Sequence, residues 1–81
     1  MAEYRNIAGA VVQELRKKRG LRQADLVDRL NIAGWDLSRG TYAKIEAQIR
    51  CVTDDELFKL AAALGVDAAD ILRLVAKNQK K

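Results

Sequence analysis

Apolar residues recur along this chain at helical spacing, in five separate runs. The first predicts a helix over residues 4–19, with Ile7, Val11 and Leu15 on one stripe and Ala8 and Val12 alongside. Its last turn is Arg16-Lys17-Lys18-Arg19, followed by Gly20. Cations suit the negative end of the helix macrodipole, and glycine suits a left-handed stop. The second run, Gln23 to about Leu30, turns Leu26, Val27 and Leu30 inward and Asp25, Asp28 and Arg29 outward. Arg22 stands at its N-cap, where an oxygen-bearing side chain is preferred, so this start is weak. Gly34 is the best stop signal that follows, and Ile32 and Leu37 are expected to return to the core.

The third run, Ser38 to Glu46, predicts a short helix. Ser38 can cap it, and Tyr42 and Ile45 share an inward face. Arg39, Thr41 and Lys44 are left pointing elsewhere, and the one acid stands at the far end. Thr53-Asp54-Asp55-Glu56 has the capping-box pattern and opens a fourth helix, with Leu57, Leu60, Ala61 and Leu64 inward and Gly65 as its end. Asp67 caps a fifth helix, roughly Ala68 to Lys77, with Ile71, Leu72, Leu74 and Val75 apolar. Residues 1–78 thus read as one all-α domain of five helices, and residues 79–81 as a frayed basic tail.

Composition narrows the chemistry. Proline is absent and only four residues are aromatic, which suits packed helices joined by glycine turns. The formal net charge is +4. Residues 1–52 carry ten Lys and Arg against six Asp and Glu, whereas residues 53–81 carry five of each, so the whole excess lies with the cationic third helix. A lopsided positive field favours a polyanion. Histidine is absent and Cys51 is the lone cysteine, so a zinc site, a disulfide within the chain and the commonest general base are all excluded. No catalytic constellation stands out, no cofactor is expected, and cysteine usage together with the lack of a signal-peptide or membrane-spanning run reads as cytoplasmic. Cys51 reads as an inert small residue.

Several anchors line up in order. Arg16 stands seven residues before Gln23; Gln23-Ala24-Asp25-Leu26-Val27 follows Gly20-Leu21; Thr41 through Glu46 closes the third helix. Asp55-Glu56-Leu57 and Leu60-Ala61-Ala62-Ala63-Leu64-Gly65-Val66 complete the set. From about Ile7 to Leu72 the chain resembles the Cro and phage-repressor class of helix-turn-helix regulators, the XRE family. The resemblance implies a compact five-helix domain in which Gln23–Leu30 positions and Ser38–Glu46 recognises. It implies that Arg39, Gly40, Thr41 and Lys44 read bases in the major groove, and that Arg22, Gln23, Ser38 and Arg50 contact phosphates. Arg16 and Glu46 match a largely buried structural salt bridge between the first and third helices.

Four departures from the family pattern stand out. The path from Leu30 to Ser38 is about five residues longer than the usual tight turn, Val27 replaces a customary alanine, Arg22 replaces the usual Thr or Ser, and Gly40 has no side chain where many relatives read a base. Trp35, inside the longer path, reads best as a plug on the core; contact with DNA sugars or a partner chain is the other reading. The expectation is a non-enzymatic, homodimeric, sequence-specific regulator of double-stranded DNA that represses by occupying an operator. Two alternatives remain: the antitoxin of a toxin–antitoxin pair, and a protein-interaction module that has lost DNA binding.

Overall fold

A computed structural model describes residues 4–79; of the expected tail at 79–81, Gln79 is helical, and Lys80 and Lys81 lie outside the described residues. The helices are α1 (Gly9–Lys18), α2 (Gln23–Ile32), α3 (Arg39–Glu46), α4 (Asp54–Leu64) and α5 (Ala68–Gln79), and no strand occurs among the described residues. They pack around one core in which Val11, Val12, Leu26, Leu30, Tyr42, Ile45, Leu60, Leu64 and Ile71 are almost fully buried. α1 touches α3, α4 and α5; α2 touches α3 and α4. α3 is thus wedged between α1 and α2, with one face left to solvent.

The ends of the helices follow from their residues. Thr53 and Glu56 form the expected reciprocal cap of α4, with the Thr53 hydroxyl accepting from the Glu56 N–H at 3.1 Å and the Glu56 carboxylate accepting from the Thr53 N–H at 3.1 Å. Gly65 ends α4 in the left-handed region at φ 74°. At α2, Arg22 has no acceptor to offer, and the Asp25 carboxylate accepts from the Arg22 N–H at 2.8 Å instead. The same device recurs at α5, where the Asp70 carboxylate accepts from the Asp67 N–H at 3.1 Å.

Two boundaries depart from the periodicity. α1 begins at Gly9, not at residue 4, and Ile7, expected inward, is exposed. The reason is Asn6, whose Oδ1 accepts from the N–H groups of Ala8 (3.1 Å) and Gly9 (2.6 Å) and so closes the helix start. α2 runs two residues beyond Leu30, and Ile32, expected in the core, is 88% exposed because it falls on the outer side of that extra turn. Leu37 is buried as expected. Leu72 on α5 faces solvent, and Leu57 and Leu74 are half-buried.

Candidate nucleic-acid interface

The inner side of α3 is built on a buried charge. Glu46 lies at its C-terminal end, and the Arg16 guanidinium of α1 donates to it through Nε (2.6 Å to Oε2) and Nη2 (3.1 Å to Oε1). The Tyr42 hydroxyl donates to the same carboxylate, and the Gln23 amide donates to it at 2.9 Å. Arg16 also donates to the Leu21 carbonyl at 2.7 Å, which fixes the turn between α1 and α2. One carboxylate therefore joins α1, α2 and α3. Burial alone would push the Glu46 carboxyl up, but the hydrogen bonds from Arg16, Tyr42 and Gln23 bring it below the usual range. Burial, then the bond to Glu46, pushes the Tyr42 phenol above its ordinary value.

A second set of contacts closes the same end. Asn6 is buried, and its Nδ2 donates to the carbonyls of Ile45 (3.1 Å) and Arg50 (2.8 Å). The Arg5 N–H donates to the Gln48 carbonyl at 2.9 Å, and the Gln48 side-chain amide returns a bond to the Asn6 carbonyl at 3.2 Å. Gln48 itself takes the left-handed φ of 65° that stops α3. Gly9 is where the two helices meet: a Cβ there would lie 2.1 Å from the Ile45 carbonyl oxygen. Only a residue without a side chain allows this approach.

The outer side is different. Ser38 caps the helix by accepting from the Thr41 N–H at 3.1 Å, and it donates its own hydroxyl to Thr41 Oγ1 at 3.0 Å. Arg39, Gly40 and Lys44 are exposed and Thr41 is half-buried. Among the described residues, neither Arg39 nor Lys44 has an acidic partner at ion-pair distance. A Cβ built on Gly40 would meet nothing closer than Ser38 Oγ at 3.9 Å, so nothing inside the chain demands glycine there. These residues share one open face of α3.

The residues expected around that face have varied employment. Ser38 is at its edge, exposed. Arg22 is exposed and donates to Asp25 through Nε (3.1 Å) and Nη2 (3.0 Å), which with the backbone bond holds the Asp25 carboxyl down at about 2. Gln23 commits its amide nitrogen to Glu46. Arg50 is held by several bonds within the fold. Its guanidinium grips Glu56 with two bonds of 3.0 and 3.1 Å, donates to the Cys51 carbonyl at 2.9 Å, and lies 5.8 Å from the centre of the Trp35 ring. Three of its five donor hydrogens are engaged within the fold, and the Nε hydrogen and one on Nη2 remain for the phosphate contact expected of it.

Sequence reasoning missed Asn6, Gly9 and Asn31. Asn6 did carry a signal, since asparagine just before a helical run is an N-cap candidate, but Ile7 fitted the apolar stripe and masked it. Gly9 gave none, because a close approach is a property of two helices. Asn31 donates to the carbonyls of Trp35 (2.8 Å) and Leu37 (3.1 Å) and so shapes the link between α2 and α3; its place between Leu30 and Ile32 gave no hint.

Among solved structures, the fold is similar to that of the clp gene regulator ClgR from C. glutamicum, with a TM-score of 0.83 at 22% identity over 99% of this chain and 97% of that one. A second structure of ClgR from Corynebacterium glutamicum gives a TM-score of 0.81 at 23% identity, over 95% of this chain and 77% of that one. Identities this low speak for the fold. None of the curated proteins matches the sequence. Residues 12–71 match a family described as helix-turn-helix.

Proposed function

This chain belongs to the helix-turn-helix family, and we propose that it is a sequence-specific double-stranded-DNA-binding transcriptional regulator acting as a homodimeric repressor on an operator. The observation that carries the reading is the division of α3 into two faces. One is locked to the core through Glu46, and the other offers Arg39, Gly40, Thr41 and Lys44 to solvent. A guanidinium next to the N-cap can present two parallel donors to guanine O6 and N7. Lys44, just over one turn on, supplies a flexible cation to the same groove. Gly40 leaves room outward, so the α3 backbone can approach the bases closely. Ser38, Arg22 and Gln23 surround the start of the two helices, where phosphates would set register.

A single domain of this size gives a small footprint, and two copies one helical turn apart, about 34 Å, would read a pseudo-palindrome. The stretch Ala62–Val75 is the proposed contact between copies, because it lies in the part of the chain without the positive charge excess that repels a second chain. Selection from a random duplex library, followed by sedimentation with and without the selected site, tests both parts. The reading expects a two-fold site and two chains per duplex. Failure to select any sequence removes the regulator, and one chain on a non-symmetric site removes the dimer.

A further inference from the structure

The link between α2 and α3, residues 33–38, is held at every step. α2 ends in a six-to-one bond from the Trp35 N–H to the Leu30 carbonyl at 2.9 Å, with Gly34 in the left-handed region at φ 101°. Asn31 ties down two carbonyls of the link, and the Leu37 N–H donates to the Trp35 carbonyl at 3.0 Å. The half-buried Trp35 ring packs on the edge of the core, and the Arg50 guanidinium lies over it. Arg50 is not free to follow: Asn6 holds its backbone carbonyl, and Glu56, fixed in the α4 cap, holds its side chain. Ser38 stands three residues after Trp35 and caps α3. Any shift of the ring is therefore passed to the N-terminal end of α3, while the other end stays pinned at Glu46.

We propose that the Trp35–Arg50–Glu56 stack sets the pitch of α3, which makes Trp35 and Arg50 positioning residues for base reading that touch no base themselves. The proposal rests on the DNA-reading function proposed above. Arginine suits the role because its planar fork grips a carboxylate with two bonds and still offers a flat face to an aromatic ring. Lysine keeps the charge but has neither property.

The test uses Trp35→Leu, Arg50→Lys and the conservative Trp35→Phe, each in the full chain and in two arms. Without DNA, amide exchange should quicken at Leu37, Thr41 and Tyr42 in Trp35→Leu and Arg50→Lys, and stay as it was at Ala47. With the selected duplex and its single-base variants, both substitutions should cut the preference for the right base about tenfold. The slope of log K against log salt should not change, and Trp35→Phe should recover most of the preference. Unchanged exchange across residues 37–42 overturns the proposal. So does an Arg50→Lys that matches the parent while Arg50→Gln lowers the salt slope by about one unit, which would make Arg50 a phosphate contact. An unsubstituted chain with no preferred duplex defeats the DNA-reading function instead, and the exchange arm still decides whether the stack holds the link.

Discussion

The two ends of α3 are held in opposite ways. At the C-terminal end the partners are buried and leave no slack: a desolvated carboxylate with three donors, an asparagine bonded on both sides, and a glycine against a carbonyl oxygen. At the N-terminal end they are surface groups, namely a serine cap, a half-buried tryptophan and an arginine clamp. Charges and close contacts in a dry interior tolerate little substitution, whereas surface contacts can be traded at small cost. The first end therefore carries stability, and on the proposed function the second carries aim. A helix anchored this way can be redirected without unfolding the domain.

Glu46→Ala is the most direct way to break that contrast. It leaves Arg16 buried without its partner and frees Tyr42 and Gln23, and should cost about 3–5 kcal/mol in a thermal or urea melt. Acid probes the same group. Because the folded carboxyl is depressed below the ordinary 4.5, its contribution is fully present above that value and is lost as pH falls through the folded one. Asp25, lowered from 3.8 to about 2 by its bonds to Arg22, acts in the same direction, its contribution fading below pH 3.8. Melts of Glu46→Gln between about pH 2 and 6 should show a flatter acid limb than the parent. Equal limbs would mean that Glu46 is not the group being titrated.

Gly9→Ala comes next. The added methyl would lie 2.1 Å from a backbone oxygen that cannot rotate away, so the gain in helix propensity is outweighed by overpacking of about 1–3 kcal/mol. A variant as stable as the parent would show that α1 can slide along α3. Arg39→Ala moves to the other end and should spare stability. It should flatten the preference at one base pair by about 1–3 kcal/mol and leave non-specific binding nearly as it was, as titrations on single-base variants would show. The smallest effect is expected for Ser38→Ala, about 1 kcal/mol of stability from the lost cap. If Ser38→Ala proved costlier than Glu46→Ala, the contrast between the ends would be reversed.

Legibility in the sequence follows the same division. Every helix was visible from its apolar stripe, because burying Leu26, Leu30, Ile45, Leu60 or Ile71 is a local demand that repeats at the helical period. Thr53 and Gly65 marked the ends of α4 for similarly local reasons. The pairing of Arg16 with Glu46 spans thirty positions, and only the resemblance to a family suggested it. Asn6, Gly9 and the turn of Arg50 toward Trp35 and Glu56 stayed hidden, since each depends on what another segment brings alongside. Ile7 and Ile32 misled for the converse reason: their spacing fits a stripe, but a side-chain cap began α1 later and the extra turn of α2 carried Ile32 outward.

The bonds that Asn6 makes also set a timetable. Its two carbonyl acceptors lie 39 and 44 residues further along, so the first part of the seam to be synthesised waits for one of the last parts of α3 and its following loop. On a ribosome adding about 5–20 residues each second, α1 and α2 emerge seconds before the strap that holds α3 can close. A chain stalled before Arg50 would therefore carry all of α3 and its Glu46 anchor, yet lack the second Asn6 bond and the guanidinium over Trp35. On the proposed function, such nascent fragments should discriminate between duplexes less sharply than finished molecules do.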